Sequence, residues 1–211
     1  MDARRAAIVA ATARVIVANG VDSTRLADVA EEAGVSVGLI QHYFRTKDRL
    51  VLETFRTAAT QSRDTWRHWV TADDEPLARI AGLARFIVTD DDFELSWGLW
   101  VEFYAASIRN RELRKNIHRI MNLWRTLFTD CINDGIERGV LISNGNVPDA
   151  VTRIVALTDG LAIQTMLGLY DMTPALMESM ILDALADLFS VDRAALAEAS
   201  ESVHDAARCV R

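Results

Sequence analysis

The segment Val37–Phe44, VGLIQHYF, holds side chains suited to reading the edges of a nucleic-acid duplex and almost none suited to breaking a bond. With helical spacing, Ile40 and Phe44 share one face, while Gly38, Leu39 and His42 lie opposite, flanked by Val37, Gln41 and Tyr43. A short helix entering a major groove meets bases with its N-terminal residues, which favours Val37, Gly38, Leu39 and Gln41. Gln41 can pair with adenine, and Val37 and Leu39 can touch thymine methyls. Gly38 sits inside the helix at a cost of roughly 0.5–1 kcal/mol relative to alanine. Either a phosphate backbone approaches its Cα or a neighbouring helix crowds it. Thr24, Arg25, His42, Tyr43 and Lys47 suit phosphates, which position a protein without reading sequence, and Ser36 joins them at the helix start.

Other chemistries find less support. A helical hydrolase or lyase built on Asp159, Glu102 and a histidine lacks a Ser/His/Asp order, a phosphate loop and metal-ligand spacing. His68, His118 and His204 are scattered. Asp90-Asp91-Asp92 reads as helix capping rather than a metal site. Cys131 and Cys209 form no CxxC or Cys/His cluster, and Cys131 lies on an apolar helix face as a small hydrophobe. No catalytic residue, metal or cofactor is therefore expected, and Asp159 reads as an interface carboxylate or a ligand contact.

The elements that must carry these residues are all helical. Three prolines and ten glycines interrupt 211 residues, half of them hydrophobic. Apolar spacing predicts helices over 2–19, 26–33, 37–44 and 47–70. Gly20 ends the first, and Gly34-Val35-Ser36 is a turn whose Ser36 caps the third. Thr46 caps the fourth. Further helices are predicted over 77–89, 93–108, 111–138, 148–169 and 174–189, with Pro76 at a helix start and Thr173 as a cap. The tail from Val191 reads either as a last helix or as a frayed end.

Two short helices joined by a tight glycine turn make a helix-turn-helix. The stretch TRLADVAEEAGVSVGLIQHYFRTKDRL, Thr24–Leu50, resembles the DNA-binding head of the TetR family of bacterial repressors. The matching frame is Thr24, Val29-Ala30, Ala33-Gly34-Val35-Ser36, Gly38, Ile40, His42-Tyr43-Phe44, Lys47 and Leu50. Two positions depart from it. Gln41 stands where tyrosine is common, which alters base preference, and Arg25 stands where a capping Ser or Thr is common. Arg25 then adds a phosphate contact while Ser23 or Thr24 serves as the cap.

Beyond residue 60 the chain holds all its tryptophans. Trp97, Trp100 and Tyr104 share one helical face, and Glu102 interrupts the apolar run Leu99–Ala106. With Trp66, Phe103, Trp124 and Phe128 these form a candidate ligand cage, in which rings and a carboxylate suit a cationic or amphipathic small molecule. Rings at helical spacing are also ordinary core, and Glu102 can equally be a solvated position. The segments LWVEFYAASIRNRELRKNI, DGIERGVL and ALTDGLAIQ (Ala156–Gln164) are similar to the C-terminal domain of the subgroup that contains the betaine-synthesis regulator BetI. The two helices over 148–169 and 174–189 are apolar on more than one face, which demands cover on two sides. The resemblance implies a twofold mate there, through Ile154, Thr158, Leu161, Thr165, Leu176, Met180, Ile181 and Leu188.

Charge is −7 overall, divided as +1 on residues 1–50 and −8 on the rest. That permits a nucleic-acid-binding head on an acidic body without arguing for it. The apolar stretch Val147–Tyr170 carries Asp149, Arg153 and Asp159, which speaks against a membrane span. No signal peptide is expected, and cysteine usage fits a reducing, cytoplasmic setting. The expected architecture is all-α, with a three-helix DNA-binding domain over residues 1–46 and a larger helical ligand-binding and dimerisation domain over 47–211. The expected partners are an operator duplex, a small-molecule effector and a second copy of the chain.

Overall fold

Helix breakers fall where the chain turns, and the regions between them are helical throughout. The computed structural model describes residues 3–69, 75–88 and 92–209. It contains ten α-helices among them and no strand: α1 Ala3–Asn19, α2 Leu26–Glu32, α3 Val37–Phe44, α4 Lys47–Trp69, α5 Pro76–Val88, α6 Phe93–Arg109, α7 Arg111–Glu137, α8 Val147–Met166, α9 Pro174–Phe189 and α10 Arg193–Cys209. The expected ends at Asp2, Val70 and Thr89 lie outside the described residues, as do Asp90 and Asp91. The chain divides into two compact units, residues 1–62 with 92–120 and residues 63–91 with 121–211.

In the first unit, α1, α2 and α3 close on a core of Ile8, Val9, Val15, Val29, Ala30, Ile40, Phe44 and Leu50. Ile40 has no exposed surface and Phe44 almost none, so the face opposite the candidate reading residues is the anchor. Gly20 at φ +80° ends α1, and Gly34 at φ +64° makes the turn before α3. The Ser36 hydroxyl accepts the Leu39 N–H at 3.2 Å, as a cap should. Between α3 and α4 the chain bends through Arg45 at φ 65°, ψ −50°, where the Thr46 N–H reaches back to the Phe44 carbonyl at 2.8 Å. Thr46 then caps α4 by accepting the Arg49 N–H. Along α4, Phe55 stacks on Phe103 of α6 at 4.0 Å between centroids. Arg56 binds Asn116 of α7 at 2.9 Å.

In the second unit, α5 packs against α9 and α10, and α8 packs against α9. Asn146 caps α8 and Thr173 caps α9. α8 stops three residues short of the expected end, because Gly168 at φ +60° breaks it and Leu169–Asp171 form a 3-10 turn. The tail is helical: Leu196, Ser200 and Val203 of α10 are buried, which settles the alternative left open by its composition. A charged cluster ties three of these helices together. Arg85 of α5 binds the Glu178 carboxylate of α9 at 2.5 Å, and the Ser200 hydroxyl of α10 donates to the same carboxylate at 2.6 Å. Cys131 is fully buried, and burial pushes its thiol up to about 11 against the lowering effect of Arg79. A Cβ on Gly135 of α7 would sit 2.6 Å from the Leu141 side chain, which would have to move to admit it. Among the described residues no helix is long and apolar enough to cross a membrane, and no cluster of His, Cys, Asp and Glu could hold a metal ion.

Candidate nucleic-acid interface and effector site

α3 is a short rod held from behind. Its anchored face carries Ile40 and Phe44, and Val37 and Tyr43 lean partly on the same core. Gln41, His42 and Gly38 are exposed, and Leu39 is half-buried. A Cβ built on Gly38 would find only the Ser36 hydroxyl, 3.9 Å away. Helix crowding is therefore not the reason for a glycine here, and its Cα lies open on the outer face. His42 and Tyr43 meet edge to face at 5.5 Å.

Around α3 the expected phosphate contacts divide. Lys47 stands at the start of α4, where its ammonium donates to the Asp22 carbonyl at 2.8 Å and keeps two further protons. Thr24 must be corrected. It is 2 % exposed and its hydroxyl donates to the Gly20 carbonyl, so its side chain braces the loop after α1 rather than facing solvent. The expected Ser23 or Thr24 cap is also corrected. Arg25 itself occupies the cap position of α2 in extended backbone, and its N–H is satisfied by the Asp28 carboxylate. The Arg25 side chain remains exposed.

The residues expected to form the effector cage divide between the two units. Trp97, Trp100, Glu102, Phe103 and Tyr104 fall in the first unit, and Trp66, Trp124 and Phe128 in the second. Phe103 has no exposed surface and is stacked on Phe55, so it is core. Phe128 is buried likewise. Glu102 is corrected too: its carboxylate accepts the Val21 N–H at 3.1 Å and lies beside Gly20, fastening α6 to the end of α1. That contact bridges 81 positions and left no local signal in the sequence. Trp97 and Trp100 are half-buried against Phe93 and Phe103, with centroids 6.3 and 6.1 Å apart. In the second unit Trp124 stacks near Phe86 at 6.1 Å. Trp66 is 4 % exposed, and its indole N–H has no acceptor among the described residues. A buried donor left so costs roughly 1–3 kcal/mol.

On α8 and α9, Ile154, Thr158, Leu161 and Ile181 are buried within the second unit of a single chain. They cannot offer surface to a second copy, and their place in the expected dimer face is corrected. A helix apolar on two sides does not announce which side is its own core. Thr165 and Leu188 are half-buried. The exposed apolar set is Leu176 and Met180, with Ile163, Leu167, Leu169 and Tyr170, which the sequence pattern had not singled out. Tyr170 is 82 % exposed and held at φ 56°.

Both segments of the chain match families of known proteins. The family profile described as bacterial regulatory proteins, tetR family, matches residues 8–54. That described as BetI-type transcriptional repressor, C-terminal, matches residues 76–190. An HTH-type transcriptional regulator BetI from Burkholderia thailandensis is 32 % identical over 182 residues, covering 82 % of this chain and 88 % of the relative. A transcriptional regulator from Saccharomonospora viridis, solved in complex with choline, superposes with a TM-score of 0.82 at 23 % identity, covering 90 % of this chain and 98 % of the other. A TetR-family regulator from a Rhodococcus species gives 0.79 at 22 %, covering 88 % and 98 %. At these identities the two structures speak for the fold.

Proposed function

The chain belongs to the TetR family of bacterial transcriptional regulators, with a BetI-type C-terminal domain, and from this we propose that it is a cytoplasmic homodimeric repressor released from a pseudo-palindromic operator by a small cationic or amphipathic effector. The observation that carries the DNA reading is α3 itself: a capped rod, anchored by Ile40 and Phe44, with an open Gly38 and an exposed Gln41 on its outer face. Val37, Gly38, Leu39 and Gln41 meet base edges. Ser36, Arg25, His42, Tyr43 and Lys47 position the phosphates. Residues 1–46 act as the DNA-binding head, and residues 47–211 bind effector and partner. Two heads fit half-sites about 34–36 Å apart or slightly more.

The dimer reading rests on Leu167, Leu176, Met180 and Tyr170, large apolar groups exposed at the end of α8, along the first half of α9 and in the turn between them. Replacing Leu176 and Met180 by aspartate is expected to give monomers in sedimentation and to weaken operator binding by about 100-fold or more, the bivalent gain being lost. A double variant that stays dimeric removes this face from the account.

The effector reading rests on the half-buried rings Trp97, Trp100 and Trp124 and on the buried Trp66 N–H, which has no acceptor among the described residues. The effector shifts α4, which runs from Lys47 of the head, and must bind the released form more tightly to do so. Selection from random duplex DNA tests the whole: inverted repeats with half-sites at that spacing are expected, and choline at saturation serves as the first probe of release. Absence of any selected sequence overturns the regulator reading. Selection of single, unrepeated sites overturns the paired heads alone.

A further inference from the structure

The first unit carries a second concentration of positive charge, remote in sequence from the helix-turn-helix. Where α6 gives way to α7, Arg109, Arg111, Arg114, Lys115 and Arg119 stand against Glu112 alone. All are exposed. Arg114 folds back onto the Ser107 and Ile108 carbonyls and closes the end of α6. Arg111 opens α7 with its side chain exposed, and Lys115 follows one turn on along the same face. Cations in the first turns of a helix oppose its dipole, and like charges four apart repel. Arg109 in the last turn of α6 suits that helix's dipole, so it is Arg111 and Lys115 that local stability does not account for.

The corner faces the head directly. A cleft of about 770 Å³ is lined on one side by Lys47, Asp48 and Arg49 at the start of α4 and on the other by Arg109, Arg111 and Glu112, with Val51, Leu52, Ala106 and Leu113 between them. Arg109 binds the Asp22 carboxylate at 3.0 Å, on the loop that leads into α2, and Lys47 binds the carbonyl of the same Asp22. The Arg109–Asp22 pair is 66 % and 76 % exposed, so an exchange of partners there costs little. Among the described residues neither Arg49 nor Arg111 forms an ion pair. Asp22, Asp48 and Glu112 also line the cleft, so its cations exceed its carboxylates by one.

We infer that the α6–α7 corner is a second DNA-backbone contact, in which Arg109 and Arg111, facing Lys47 and Arg49, take an operator phosphate beside those held by the head. This rests on the proposed DNA binding and extends it. The first fifty residues supply only +1, little for a duplex-binding surface, and the corner supplies the missing cations from the ligand-binding half of the chain. The contact is independent of base sequence.

The test is the salt dependence of binding, measured with the selected operator and with a random-sequence duplex of about four helical turns. Replacing Arg109 and Arg111 by alanine is expected to reduce the slope of log K against log salt by about 0.9 for each lost phosphate contact. Affinity for both duplexes should fall by the same factor, leaving their ratio unchanged. Arg111→Ala alone, which breaks no internal bond, should give about half the change, and the Arg109→Lys, Arg111→Lys pair should keep the slope of the parent. Slopes unchanged in the alanine variants, or a loss confined to the selected operator, overturn the corner. Gly38→Glu in parallel separates the two readings. If it alone weakens binding, the corner falls and the operator reading stands; if it too is without effect, the operator reading falls with it.

Discussion

Gly38→Ala is expected to make the protein more stable and its operator binding weaker. The two effects have opposite signs because the glycine serves the duplex and not the fold. Its Cβ would meet nothing nearer than the Ser36 hydroxyl at 3.9 Å, so alanine fits without strain and raises helix stability by roughly 0.5–1 kcal/mol. The same methyl stands on the face that enters the groove. Gly38→Glu sharpens the result by placing a carboxylate against phosphates and base edges, and operator affinity should drop on the order of a thousandfold, about 4 kcal/mol. Urea unfolding and binding titration on the same preparations check both signs. An alanine variant that is destabilised, or a glutamate variant that holds the operator as the parent does, places α3 somewhere other than a groove.

Glu178→Ala should produce the largest loss of stability of any single substitution considered. The carboxylate is 7 % exposed, receives the Arg85 guanidinium at 2.5 Å and accepts the Ser200 hydroxyl at 2.6 Å. Removing one partner of a buried pair leaves the other charge uncompensated, at about 3–5 kcal/mol, and the partial exposure of Arg85 points to the lower end. The Arg85 Nε already lacks an acceptor among the described residues, so the guanidinium has no second arrangement ready. At about 2–4 °C per kcal/mol in a chain of this size, the midpoint of thermal unfolding should fall by roughly 6–12 °C. The pair replaced together by methionines should recover most of it, since hydrophobic groups of similar volume replace a buried ion pair at little cost. A Glu178→Ala variant that unfolds at the parent's midpoint would mean that the cluster contributes nothing.

What the sequence discloses here depends on how local the determining physics is. The head was legible because its signals lie within a few residues of their targets. Ser36 caps its own helix, Gly34 turns its own corner, and Ile40 and Phe44 are one turn apart. The end of α8 was read too far because Leu167, Leu169 and Tyr170 continue the apolar pattern across Gly168, whose backbone turns left-handed. Glu102 could not be assigned, since its partner is the backbone of Val21, and a backbone N–H carries no residue-type signature. Ile154 and Ile181 look alike in sequence to Leu176 and Met180. Only the packing of α8 on α9 separates the inward pair from the outward one. Arg25 shows the reverse case: a departure from the expected capping residue is absorbed because Asp28 satisfies the backbone from three positions on.

The bend at Arg45 bears on how a regulator of this build transmits force. It is a strained, non-glycine bend, closed by the Thr46 N–H on the Phe44 carbonyl and followed at once by a capped helix. An arginine ordinarily avoids this conformation, so the elbow persists because the helices on either side hold it. α4 spans 23 residues, about 34 Å of rise, so turning it by about 10° carries its far end roughly 6 Å, half the width of a major groove. A glycine at that joint would let the reading rod stay seated while its lever swung; with arginine there, lever and rod must move as a single crank.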